Sequence, residues 1–181
     1  MGKIETAKMS GMTRQSQDRF QELLSTHQRI VFKVANVYCG HPDERQDLIQ
    51  EISVQLWRAF SSYDKQRPFS TWMYRIALNV AISFARKSAH RNQRLVALED
   101  EAPDLQAQYS SIPHSGGEEA EFLHRFIAGL DELNKAMIIL YLEENSYSEI
   151  AEILGITETN VATKISRLKQ RIREESEKEN L

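Results

Sequence analysis

Ser146 to Arg173 reads SYSEIAEILGITETNVATKISRLKQRIR. Its opening tetrad, Ser146-Tyr147-Ser148-Glu149, is a capping-box pattern: the serine hydroxyl accepts from the Glu149 amide while the Glu149 carboxylate reaches back to the cap. A helix therefore starts here. Ile150, Ala151 and Leu154 give it an apolar face, Gly155 supplies the left-handed residue that stops it, Ile156 plugs the core and Thr157 can cap a following helix. In that second helix Val161, Ile165, Leu168 and Ile172 step by four, three and four, which makes a buried stripe. The same period sets Lys164, Arg167 and Arg171 on another face, with Thr159, Asn160 and Thr163 nearer its start. Helix, glycine turn and basic second helix make a helix-turn-helix. When such a motif docks on DNA, residues at the start of the second helix reach base edges, and cations farther along suit phosphates.

Upstream of this motif, a second bundle is expected to begin near Glu118, with Phe122, Phe126, Leu130 and Leu133 on one helix and the apolar run Ala136 to Leu142 as a short buried one. Residues 96–117 contain Pro103, Pro113, Gly116-Gly117 and an acidic run without sustained period, and read as a flexible linker. Toward the N-terminus, apolar positions from Phe20 to Tyr38 recur at helical spacing, as one helix or two joined end to end, until Gly40-His41-Pro42-Asp43 breaks them. Asp43 can cap the next helix, whose core positions are Leu48, Ile49, Ile52, Leu56 and Trp57. Ser61 to Pro68 is a polar loop, and Ser70 with Thr71 can start a long helix reaching about His90. The expected architecture is all-α: a tail (1–18), a three- or four-helix bundle (19–95), an acidic linker (96–117), a helix-turn-helix bundle (118–175) and a short tail (176–181). Met9 and Met12 are further possible starts besides Met1.

Charge is segregated along this plan. Net charge is -3, yet Lys65 to Leu98 holds seven basic residues and no acidic one, Glu99 to Glu121 seven acidic residues and no Lys or Arg, and Thr159 to Arg173 five cations without a carboxylate. One charged run is ordinarily a solvated helix face. Two basic blocks, each inside an apolar helical repeat, point to two phosphate-contacting surfaces. The single cysteine, Cys39, excludes an internal disulfide and a multi-cysteine zinc site. No apolar run has the roughly 18 residues of a membrane span, and the N-terminus lacks the apolar core of a signal peptide, so a cytoplasmic setting is expected. The five histidines are scattered, and no Gly-rich phosphate loop or nucleophile elbow is present. No catalytic activity, metal or cofactor is expected.

Asp43 to Phe60, DERQDLIQEISVQLWRAF, followed by RPFSTWMYRIALNVAISFARK from Arg67 to Lys87, resembles the second region of bacterial sigma factors, and Leu130 to Arg173 resembles the fourth. The two regions in this order, joined by a short linker, resemble the extracytoplasmic-function (ECF) subfamily. The resemblance implies that Asp43, Asp47, Gln50, Glu51, Val54 and Trp57 dock on RNA polymerase core, although Trp57 reads equally well as bundle core. It also implies that the loop carrying Tyr63, Asp64, Lys65, Arg67 and Phe69 captures a base flipped from the minus-10 element, an unstacking offset by contacts in a protein pocket. Arg75, Asn79, Ser83, Arg86 and Lys87 continue that surface, while Trp72 is expected in the core. Thr157, Thr159, Asn160, Thr163, Lys164, Arg167 and Arg171 would read the minus-35 duplex. The implied partners are RNA polymerase core, through its largest and second-largest subunits, promoter DNA and an anti-sigma protein, with the free chain a monomer outside the membrane. The acidic linker would lie in the polymerase channel.

Four positions depart from the family pattern: Ser83 in place of Asp, Asn134 in place of Pro, Asn145 in place of Gly and Ala162 in place of Lys. Asn145 is expected to take a left-handed conformation at little cost, and Ala162 removes one phosphate contact. The competing class is a helix-turn-helix regulator that acts alone, as a dimer on paired half-sites. A pure protein-binding adaptor would leave both basic blocks unexplained.

Overall fold

The computed structural model describes residues 13–96 and 117–179, with side chains through His90 in the first span. The linker reading therefore lies almost wholly outside the described residues, as do the alternative starts and the side chains of Arg91 and Arg94.

The first helix, α1 (Arg14–Tyr38), is continuous, capped by the Thr13 hydroxyl accepting from the Ser16 amide at 3.3 Å. It begins inside the stretch expected to be a tail. Helix α2 (Pro42–Ala59) is capped by His41 and not by Asp43: the imidazole Nδ1 accepts from the Asp43 amide at 3.4 Å, and Pro42 occupies the first turn. Proline there gives up an N–H that has no intrahelical partner in any case. Asp43 and Glu44 complement the positive helix end instead. A 3-10 turn (Phe60–Ser62) leads into the loop, and α3 (Phe69–Val96) follows. Leu48, Ile52 and Leu56 of α2 are fully buried with Val34 and Ala35 of α1 and Met73, Ala77, Leu78 and Ala81 of α3. Each large aliphatic side chain so buried contributes about 1.5–3 kcal/mol. These helices form the three-helix bundle.

Helix α4 (Glu118–Ala128) and α5 (Glu132–Leu142) are separate. Leu130 lies in the turn between them and Leu133 belongs to α5, so the single helix read through Phe122, Phe126, Leu130 and Leu133 is corrected to two. The break is the Asp131 cap, whose carboxylate accepts from the Asn134 amide at 3.0 Å. A proline at 134 would have no N–H to offer this cap, which gives the departure at Asn134 a physical reason. Helix α6 (Tyr147–Leu154) and α7 (Glu158–Glu179) complete the chain. The four carboxylates Glu174, Glu175, Glu177 and Glu179 crowd the C-terminal turns of α7.

The two bundles are not held apart. One apolar cluster runs from Val34, Met73 and Tyr74 through Met137, Ile139 and Leu140 of α5 to Ile150 and Ile153 of α6 and Ile165 of α7. A smaller cluster, Phe126, Ile127, Leu130, Ile138 and Leu168, fixes α4. Among the described residues no strand occurs, and no helix is long and apolar enough to cross a membrane.

Candidate nucleic-acid interface

Around Ser146 both arms of the capping box form: its backbone N–H donates to Glu149 Oε2 at 2.8 Å and its hydroxyl accepts from the Glu149 amide at 3.3 Å. The hydroxyl and backbone hydrogen bonds from Ser146 hold the Glu149 carboxyl below the usual carboxylate range. Gly155 stands at φ 68°, in the left-handed region, and the Thr157 hydroxyl accepts from the Asn160 amide at 3.3 Å. The preceding turn is solved otherwise than expected. The left-handed residue is Glu144, at φ 60°, while Asn145 uses its amide Nδ2 to donate to the Leu140 carbonyl at 2.9 Å. The asparagine thus satisfies a helix-end carbonyl with its side chain, and the conformational cost falls on its neighbour.

On α7, Val161 and Ile165 are fully buried and Leu168 nearly so, which turns Thr159, Asn160, Thr163 and Arg167 outward. Thr163 Oγ1 donates back to the Thr159 carbonyl at 2.9 Å. Lys164 and Arg167 make no ion pair among the described residues. Arg171 is engaged: its Nε donates to Glu175 at 2.8 Å and its guanidinium lies 5.2 Å from the centre of the Phe126 ring. Lys169 folds back over Tyr141, 4.3 Å from the ring centre. Both are cation–π contacts.

The loop after α2 is built on aromatic rings. Phe60, Tyr63, Phe69 and Trp72 all touch one another, with ring centres 5.2–6.3 Å apart, and Phe20 backs Phe60 at 5.0 Å. Phe69 is 5% exposed and lies beneath the loop, not on its surface. Tyr63 donates to the Arg67 carbonyl at 2.7 Å, and Asp64 accepts from the Gln66 amide at 3.0 Å, closing an Asx turn. Asp64, Lys65, Gln66 and Arg67 are exposed, and Arg67 pairs with Glu152 of α6. Trp57 turns inward, edge-on to Phe20 at 5.1 Å.

The residues expected on two surfaces, Asp47, Gln50, Glu51 and Val54 of α2 and Asn79, Ser83 and Lys87 of α3, line one open groove of about 830 Å³. Its floor includes Ile76, Val80 and Phe84 of α3. Their four-residue steps one position from the buried stripe were the signal. Arg75 and Arg86 are exposed on the same helix, and Asp43 stands apart, at the exposed start of α2.

Fold and surfaces define an all-helical protein with a helix-turn-helix in one unit and a ring-backed basic loop in the other, the equipment of duplex and single-strand recognition. Residues 23–91 match sigma-70 region 2 and residues 122–172 match sigma-70 region 4. The ECF RNA polymerase sigma factor SigW of Bacillus subtilis is 28% identical over 88% of this chain and 89% of its own, and the sigma-E factor of Escherichia coli is 27% identical over 86% and 85%. The sigma factor RpoE of Bartonella quintana, solved in complex with the anti-sigma factor NepR, superposes with a TM-score of 0.67 at 21% identity over 87% of this chain and 96% of its own. CnrH in complex with the cytosolic domain of CnrY gives 0.61 at 21% over 87% and 86%. The chain belongs to the sigma-70 family, in its ECF branch.

Proposed function

We propose that this chain binds RNA polymerase core through the α2 side of the groove, reads a minus-35 duplex with α7 and helps open a minus-10 element with the loop 62–69 and the outer face of α3. The observation that carries the reading is the presence, in one chain and in this order, of a polar loop seated on four aromatic rings and a helix-turn-helix whose Lys164 and Arg167 make no ion pair among the described residues. Phe69 acts by supporting Tyr63; Tyr63, Asp64, Lys65 and Arg67 meet the flipped base and its backbone. Thr157, Thr159, Asn160 and Thr163 face base edges and nearby phosphates, Lys164 and Arg167 hold the backbone, and Arg171 joins them on release from Glu175. Asp47, Gln50, Glu51 and Val54 meet core, with Asp43 at the edge and Trp57 holding α2 in place. The chain works as a monomer in the cytoplasm, and an anti-sigma protein covers these surfaces; the solved complex of the similar RpoE with NepR supports that last point.

The test is transcription in vitro on pooled genomic promoters, comparing core polymerase alone with core plus this protein. Discrete new start sites in the mixture are expected, and aligning them yields the promoter bases. DNA binding as a dimer, with no effect of core, would replace this reading with the stand-alone regulator.

A further inference from the structure

The loop that the proposed function assigns to the minus-10 element owes little of its shape to its own backbone. Its main-chain hydrogen bonds are short-range: the Tyr63 amide donates to the Phe60 carbonyl and the Arg67 amide to that of Asp64, both at 3.1 Å. Position comes from the rings. Phe60 stands at the entry to the loop and Phe69 at its exit, both buried. Tyr63, half-buried between them, stacks on Phe60 with centres 6.0 Å and planes 21° apart, and meets Phe69 edge-on at 5.3 Å and 83°. These spacings are those of attractive aromatic pairs. Tyr63 is therefore placed by the two rings that bracket its loop.

Both of those rings are held from α1. Phe20, itself buried, meets Phe60 edge-on at 5.0 Å and 65°, and steadies Trp57 of α2 at 5.1 Å and 76°. His27 meets Phe69 at 5.3 Å and 63°. The imidazole is oriented by Nδ1, which donates to the Leu23 carbonyl at 2.9 Å; a carbonyl oxygen only accepts, so the proton sits on Nδ1. His27 lies seven residues after Phe20, close to two turns, which sets the two side chains on one helix face about 10 Å apart. One face of α1 thus grips the loop at both ends. Phe20 stands ahead of residues 23–91, which match sigma-70 region 2, and neither residue is near the loop in sequence. We infer that Phe20 and His27 are positioning residues for single-strand capture: through Phe60 and Phe69 they fix where Tyr63 stands, and with it the surface on which a base stacks. The inference rests on the proposed function for what Tyr63 receives. A stacking platform has to be held in place, because a ring that must be ordered on binding gives back part of what the contact gains.

The experiment uses the full-length chain in four variants. His27→Leu removes the ring and its anchor, His27→Phe restores the ring alone, and Phe20→Leu keeps apolar bulk without a ring. Ile138→Val, in the cluster that fixes α4, is the control for packing lost elsewhere. Each is read at a temperature where it is folded. The first readout is the NMR shifts of the Tyr63 ring, which respond to the Phe60, Phe69 and Trp72 rings around it. The second is affinity for a fluorescent mixed-sequence 30-nucleotide single strand. His27→Leu and Phe20→Leu should move the Tyr63 resonances and weaken strand binding about 3- to 10-fold, His27→Phe should return both toward the parent, and Ile138→Val should change neither. Tyr63 resonances that stay put in His27→Leu and Phe20→Leu, no recovery in His27→Phe, or an equal loss in Ile138→Val overturns the inference. Tyr63→Ala in the parent tests the underlying reading separately: strand affinity untouched by that change would remove the loop from strand capture, while moved ring shifts would leave the grip of α1 on the loop standing.

Discussion

Between Phe60 and Trp72 four mutually touching rings lie under a short polar loop, whereas α7 holds its outer face with backbone hydrogen bonds and a stripe of four apolar residues. The loop has little regular hydrogen bonding of its own, so its shape depends on packing beneath it, reinforced by the Tyr63–Arg67 and Asp64–Gln66 contacts. The helix carries its order locally: caps at Ser146 and Thr157 and a left-handed glycine fix where it starts and how it is presented. A surface that holds a single flipped base needs one fixed pocket, while one that lies along a groove needs a rigid rod. The two are therefore sensitive to different kinds of substitution.

The largest expected effect is Phe60→Ala. It removes the ring shared by Phe20, Tyr63, Phe69 and Trp72 and should cost about 3–5 kcal/mol, read as a fall in the urea midpoint, with duplex binding by α7 retained at temperatures where the chain stays folded. Loss of both activities in step would show that the two surfaces are one cooperative unit. Gly155→Ala comes next. No atom lies within 4 Å of an added Cβ, so the cost is that of the left-handed backbone alone, about 1–2 kcal/mol, and a gain in midpoint would contradict the turn geometry. Ser146→Ala should cost about 1 kcal/mol through the lost cap.

The same cap has a pH signature. The Glu149 carboxyl is depressed in the folded chain, so its contribution is present above the ordinary carboxylate pKa and is lost as pH falls through the depressed value. The gap in unfolding midpoint between the parent and Ser146→Ala should therefore narrow in acid, and a gap constant down to pH 3 would assign the stabilisation elsewhere. Smallest is Arg167→Ala, which leaves folding unchanged, lowers duplex affinity across sequences alike and reduces the salt slope of binding by about 1. An unchanged slope, measured by anisotropy over a salt series, would remove Arg167 from the phosphate contacts.

How much of this could be read in advance follows the same division. Ser146, Glu149, Gly155 and Thr157 each act on a partner within four residues, so their pattern is visible in the chain. So are the buried stripes of α2 and α7. Caps with alternatives were misplaced by short steps: His41 for Asp43, because an imidazole next to proline offers the same acceptor, and Glu144 for Asn145, because the asparagine side chain was free to bond the Leu140 carbonyl. Asp131 splits a run of apolar residues that periodicity alone joins. The polar contacts between the two bundles join residues 69 to 110 positions apart, Lys33 with Glu143, Arg67 with Glu152 and Tyr74 with Glu143, and no local pattern signals them. The groove was half visible, since its polar rim was named and its apolar floor of Ile76, Val80 and Phe84 was not.

The carboxylates crowded on the last turns of α7 have a further consequence. They stand at the negative end of the helix macrodipole and repel one another, relieved in part where Arg171 pairs with Glu175 and Arg125 with Glu179. Added electrolyte screens that repulsion, while at the other end of the same helix it would compete with the phosphate binding proposed for Lys164 and Arg167. Ionic strength therefore acts on α7 in opposite senses at its two ends, firming the rod as it loosens its hold on the duplex.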